Sequence, residues 1–228
     1  MIHRWDRLTF LHWRYDPAVV QALLPPGLEA ETFDGSAWVG LVPFLMQVRP
    51  AHGPAVPWLS NFCETNVRTY ARAADGTTGV WFLSLDAARF LAVATARTTY
   101  RLPYFWSKMR IDQTDDVITY RSKRRLPAPR GVPSDVSIRI GERYRAHELT
   151  ELDHYLTARW RVYSARRTGP PRVALAEHPP WPLHRGEVVH LDDHLMAAAG
   201  LPAPVGEPII HHSPGVEVQI GFPHAVVG

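Results

Sequence analysis

Apolar and polar residues alternate with a period of two along most of this chain. The segments AWVGLVPFLM (37–46), NFCETNVRTYAR (61–72), GVWFLSLDA (79–87), FLAVATARTTY (90–100), DVITYRSKRR (116–125) and VEVQIGF (216–222) all read as strands bounded by turn residues. Helical signals are fewer. Asp16 is an N-cap with Pro17 at the first helical position, and AVVQALL follows until Pro25-Pro26-Gly27 stops it. Thr150 begins a second helix with Asp153 completing a capping box, and Leu152, Tyr155 and Leu156 form its buried stripe. DDHLMAAA (192–199) is the third, ended by Gly200 and Pro202. Many strands with few short helices predict a mainly β (α+β) chain, an antiparallel barrel or sandwich with helices outside, organised as a single domain over 1–228. RPAHGPAVPW (49–58) and RTGPP (167–171) read as loops, the first long enough to fold over the mouth of a pocket.

Strand parity decides which polar residues share a face. In the 61–72 segment Phe62, Glu64, Asn66, Arg68 and Tyr70 fall on one side, and Cys63, Thr65, Val67 and Thr69 on the other. If the first side lines an interior, a carboxylate, an amide and a guanidinium stand in a row suited to an anionic or carbonyl-bearing ligand. The other reading is a solvated face with a cross-strand ion pair. The two aromatic ends, Phe62 and Tyr70, favour burial. By the same parity Arg97 shares a face with Thr95 and Thr99, and His12 lies in an aromatic first strand.

Composition limits the partners. The 228 residues are 46% hydrophobic and 21% charged, with 15 glycines and 21 prolines scattered throughout, which describes a folded globular protein. The net charge is only +3, and the dense basic run RSKRRLPAPR (121–130) is short and broken by prolines, so no nucleic-acid partner is expected. One cysteine, Cys63, precludes an intrachain disulfide. MIHRWDRLTF lacks the apolar stretch of a signal peptide and nothing approaches a membrane span, which predicts a cytoplasmic protein with no membrane partner. Self-association into a homo-oligomer is left open.

Motifs for cofactors and metals are absent. HLDDH (190–194) spaces two histidines by four but lacks the glutamate of a zinc-protease helix, and His184, His211 and His212 read as structural or surface residues. No GxSxG elbow, phosphate loop or dinucleotide glycine pattern occurs, so neither a cofactor nor a metal is expected.

Several blocks read in order resemble the YqjF-like family of uncharacterised bacterial proteins, DUF2071. They are LLPPGLEAETFDGSAWVGLVPF, ETNVRTY, GVWFLSLDA, YRLPYFW, PPWPL and GLPAPVGEP, and the resemblance runs from Leu8 to Phe222. That family is similar to the acetoacetate decarboxylase superfamily, which implies a closed antiparallel β-barrel around a buried pocket. The decarboxylase carries a Pro-Lys-Lys segment whose first lysine forms a Schiff base, its pKa lowered by the second. On this chain the segment falls on Pro103-Tyr104-Phe105, without lysine. Lys108 comes four residues after the Schiff-base position, about 13 Å along an extended strand, and the next lysine in sequence is Lys123.

The expectation is therefore a lyase-like or cyclase-like enzyme acting on an organic acid or carbonyl compound by non-covalent acid/base chemistry: dehydration, cyclisation or decarboxylation. Glu64, Arg68 and Tyr104 are the catalytic candidates, with Asn66, Tyr70, Arg97, Trp106, Lys108 and His12 around the ligand. The alternatives are a non-catalytic ligand-binding or sensor protein on the same fold, a filled structural barrel, and a Schiff-base decarboxylase or aldolase using Lys108.

Overall fold

Strands dominate because the alternating segments find partners on both edges. The computed structural model describes residues 2–49, 61–91, 93–94, 102–165 and 171–225. Its strands are β1 (Ile2–Tyr15), β2 (Leu28–Ala30), β3 (Thr32–Phe33), β4 (Ser36–Arg49), β5 (Asn61–Ala73), β6 (Thr78–Ala87), β7 (Tyr104–Thr114), β8 (Val117–Leu126), β9 (Pro133–Arg143), β10 (Arg161–Ser164), β11 (Arg172–Glu177), β12 (His184–Asp193), β13 (Ile209–Ile220) and β14 (His224–Ala225). Its helices include α1 (Pro17–Gln21), α2 (Glu151–Thr157) and α3 (Leu195–Ala198). Among the described residues no helix is long and apolar enough to cross a membrane.

The pairing order runs β6-β7-β8-β9-β12-β13-β1-β4-β5, and β5 then pairs back onto β6, so the hydrogen bonds close a ring of strands. The ring is not wholly antiparallel as expected: β6 pairs in parallel with both β7 and β10. A parallel neighbour requires a crossover, and this explains a second departure. FLAVATARTTY, read as a strand, starts the β6–β7 crossover instead. Phe90, Leu91, Val93 and Ala94 are helical there, with the Val93 amide bonded to the Arg89 carbonyl at 3.0 Å. Alanine favours a helix where no sheet edge is available. Arg97 and the rest of that segment lie outside the described residues, as do all of the 49–58 loop but Arg49 and all of the 167–171 loop but Pro171.

Both faces of β5 are buried. One packs Val67 with Leu11, Trp13, Val39, Leu41 and Ile138, covered by Val20 of α1 and Leu195 of α3. The other adjoins Phe10, Val42, Phe44 and Trp181. The capping signals form as read: the Asp16 side chain accepts from the Ala18 amide at 2.8 Å, and Thr150 and Asp153 make a reciprocal box. α1 ends at Gln21 rather than reaching Pro25.

A bulge in β6 alters its parity. Val67 pairs with Ser84 but Arg68 pairs with Phe82, so Leu83 is the extra residue. Val80, Phe82, Leu85 and Ala87 consequently stand beside Tyr70, Arg68, Asn66 and Glu64, while Ser84 and Asp86 turn to the opposite face.

Candidate active site

Cross-strand register gathers the polar residues of β5 into the interior. Glu64, Asn66 and Arg68 lie opposite Phe44, Val42 and Gly40 of β4, and all three are buried. Tyr104 reaches them from β7, where it pairs in parallel with Leu85. Its hydroxyl donates to the Glu64 carboxyl, 3.1 Å from Oε2 and 3.3 Å from Oε1. Burial pushes the Glu64 carboxyl up to about 8; the nearby Asp86 charge adds to this, against opposing hydrogen bonds from Tyr104 and Asn66. At neutral pH Glu64 is therefore mostly a protonated acid. Asn66 keeps its Oδ1 buried without a partner among the described residues.

Arg68 is 7% exposed, and no carboxylate lies within ion-pair distance of it among the described residues. Its Nη2 donates to the Leu156 carbonyl in α2 at 3.1 Å, its guanidinium carbon sits 5.1 Å from the Phe10 ring centroid, and its Nε has no partner among the described residues. A buried cation without an anion is costly unless an incoming group supplies one.

Two imidazoles flank Phe10. His12, two residues on in β1, stacks on it with centroids 5.8 Å apart, and His211 of β13 is its cross-strand partner. The His12 ring lies over Gly40, where an added Cβ would come within 2.8 Å of Nε2. The Tyr70 hydroxyl has one proton, which it donates to the Leu156 carbonyl, so the 2.7 Å contact between that hydroxyl and His12 Nε2 is donated by the histidine. Burial, and next the Arg68 charge, push the His12 pKa well below that of a free imidazole. Its Nδ1 is left as an acceptor unpartnered among the described residues. His211 is fully buried, and its Nε2 donates to Asp153 Oδ1 at 2.8 Å. Burial opposes the Asp153 charge, but the hydrogen bonds from His211 and Thr150 outweigh it and hold the carboxyl at about 2.

Sequence-predicted residues divide accordingly. Glu64, Asn66, Arg68, Tyr70, Tyr104 and His12 share the interior. Trp106 is half-buried one step along β7, against Phe90 at 5.7 Å and under Arg125 at 4.9 Å. Lys108 is exposed and does not join the cluster; its neighbour Ser107 points to the buried side of β7. Lys123, distant in sequence, stands directly opposite it in β8: antiparallel pairing brings the chain's two lysines together. Sequence reasoning missed His211 and Asp153. His211 was read as structural or surface; the signal available was its place in a strand entering VEVQIGF, and the capping box gave Asp153 a local role that concealed its second one.

Among the described residues no three His, Cys, Asp or Glu side chains group as metal ligands. His190 faces Ser137 from β12, and His194 caps α3 with its Nε2 3.1 Å from Asp192. A separate cleft of about 120 Å³ beside α2 is backed by Trp181, whose ring meets Phe10 edge-on at 5.3 Å.

Comparison with known proteins agrees with this architecture. The enduracididine biosynthesis enzyme MppR, in a structure with pyruvate, superposes with a TM-score of 0.68 over 98% of this chain and 89% of its own at 14% identity. Acetoacetate decarboxylase from Legionella pneumophila gives 0.68 over 100% and 88%, also at 14%. The fold is thus mainly β and acetoacetate-decarboxylase-like. The uncharacterised protein YqjF of Bacillus subtilis is 33% identical over 220 residues, spanning 93% of this chain and 87% of that one. The family of uncharacterised conserved proteins termed DUF2071 matches residues 3–217, and the chain belongs to it.

Proposed function

We propose that the chain is a small-molecule enzyme acting on a carbonyl-bearing organic acid by non-covalent acid/base chemistry within a closed acetoacetate-decarboxylase-like barrel. One observation carries this: a buried guanidinium with no carboxylate partner shares a strand face with a carboxyl that is protonated at neutral pH. Arg68 supplies the charge for the substrate's anionic group. Glu64, supported by Tyr104, supplies a proton where negative charge develops on a carbonyl oxygen. The reaction is of the dehydration, cyclisation or decarboxylation type, each of which passes through such an oxygen. The pyruvate complex of MppR, on the same fold, supports a keto acid as the substrate class. These steps use the chain's own groups and call on no cofactor.

An imine route has no matching residue. The chain's two lysines, Lys108 and Lys123, are exposed on β7 and β8.

Incubation with a panel of 2-oxo and β-keto acids, followed by proton NMR, tests the reading. Turnover of at least one acid is expected, with Glu64→Gln lowering kcat by about 100-fold or more and Arg68→Met raising KM. Saturable binding without turnover would replace the enzyme with a ligand-binding protein on the same fold. Neither binding nor turnover would overturn both.

A further inference from the structure

We propose that His211, oriented by Asp153, is a second catalytic residue of this interior, a base that takes a proton from the carbon beside the carbonyl of a 2-oxo acid. This rests on the acid/base reading above and names the base that reading lacks.

The geometry is that of a base held in one tautomer. Nε2 is committed to Asp153 Oδ1 at 2.8 Å, so the free lone pair of the neutral ring lies on Nδ1. That Nδ1 is buried and has no partner among the described residues. A carboxylate behind an imidazole fixes its orientation and stabilises the imidazolium that forms. Asp153 is itself fixed, its Oδ2 accepting from the Thr150 amide at 2.7 Å and the Thr150 hydroxyl at 2.8 Å.

Position ties this pair to the anion site. His211 is the cross-strand partner of Phe10, and the Arg68 guanidinium lies over the Phe10 ring. Asp153 is one helical turn from Leu156, whose carbonyl accepts from Arg68. Other groups facing this region, among the described residues, include His12 on β1, Arg159, whose charge acts on His12, and Tyr144 after β9, its ring 5.7 Å from that of His211 and under Arg185. His12 is the poorer base: its Nε2 meets a tyrosine hydroxyl rather than a carboxylate, and the Arg68 charge disfavours its protonation.

The step balances within the chain. The C–H bond next to the carbonyl breaks and its proton goes to His211 Nδ1. Its electron pair forms a C=C bond, and the carbonyl π pair moves onto oxygen, which takes the Glu64 proton. Enol, Glu64 carboxylate and His211 imidazolium result, and the reverse transfers restore the start. Arg68 holds the acid's carboxylate throughout.

Hydrogen–deuterium exchange at the methyl group of pyruvate, followed by NMR in D₂O, reads this step. His211→Gln keeps an amide donor toward Asp153 but has no titratable nitrogen. It is expected to lower kcat at least 100-fold with KM within threefold of wild type. Asp153→Asn acts on a positioning residue, and is expected to lower kcat by about tenfold or more with KM within threefold of wild type, since the ring loses the carboxylate that orients it. Wild-type exchange rates in His211→Gln, with Glu64→Gln inactive, would overturn this inference and leave the proposed function standing; retained rates in both would overturn the two together. If wild type exchanges no pyruvate, ¹⁵N NMR of labelled histidine decides the assignment: a pyruvate-dependent shift at His211 Nδ1 supports it, and an unmoved signal overturns it.

Discussion

Arg124 of β8 meets Asp86 of β6 fork to fork, Nε to Oδ1 at 2.9 Å and Nη2 to Oδ2 at 2.6 Å, with both side chains wholly buried. Ser107 and Ser84 donate to the same carboxylate, and the guanidinium lies 3.6 Å from the Phe105 ring centroid. This cluster occupies the face of β6 opposite Glu64. Removing one partner strands a charge in a dry site, so Arg124→Met is expected to cost about 3–5 kcal/mol. The double variant Asp86→Leu/Arg124→Met is expected to recover much of that loss. Urea unfolding of the three proteins checks this, and equal losses in the single and double variants would contradict it.

Glu64 makes stability fall as pH rises. Its folded pKa of about 8 lies above the ordinary 4.5, so between these values the folded state holds a proton that the unfolded state has released. The loss amounts to at most about 1.4 kcal/mol per pH unit. Glu64→Gln is expected to flatten the decline between pH 5 and 8, as measured by unfolding free energies across that range.

Three histidines act in the opposite sense. Burial lowers His3 and His212 to about 4, aided by the amino-terminal charge and by His184 respectively, and lowers His12 well below its ordinary value. Each is neutral when folded and protonates on unfolding, so stability is lost as pH drops below about 6.5. His212→Gln is expected to reduce the loss between pH 6.5 and 4.5, although the bond from Nδ1 to Thr9 Oγ1 at 3.0 Å goes with it. An unchanged pH slope would contradict this.

The facing lysines give a test on the surface. Like charges directly opposite in a sheet repel, so Lys108→Glu is expected to stabilise the protein by about 0.5 kcal/mol, an effect that fades at high salt. Borohydride treatment with β-keto acids is expected to leave no adduct at either lysine, and peptide mass spectrometry would reveal one.

Much of the ring was legible because alternation is a local property. β4, β5, β6 and β8 follow from it directly, and the Glu64–Asn66–Arg68 row on β5 needed only parity. What escaped depended on contacts far apart in sequence. The Leu83 bulge exchanges faces halfway along β6, a shift visible only against β5. The parallel β6–β7 pair made the start of an apparent strand helical. His211 and Asp153 meet because β13 closes beneath α2, and Lys108 meets Lys123 because β7 and β8 form a hairpin. Each of these is a matter of register between partners rather than of pattern within a segment.

The place of β1 between β4 and β13 has a consequence during synthesis. β4 follows β1 closely, so one edge of β1 can be paired once residue 49 has emerged. Its other edge must wait for β13, which ends at Ile220, about 170 residues later. At 5–20 residues per second that is an interval of roughly 10–30 s. Throughout it a fourteen-residue strand carrying Leu8, Phe10 and Leu11 presents open backbone donors and acceptors. Nascent chains of this protein are therefore exposed to edge-to-edge association while residues 50–220 are being made, and slowing the ribosome there should lower soluble yield more than slowing it anywhere after Ile220.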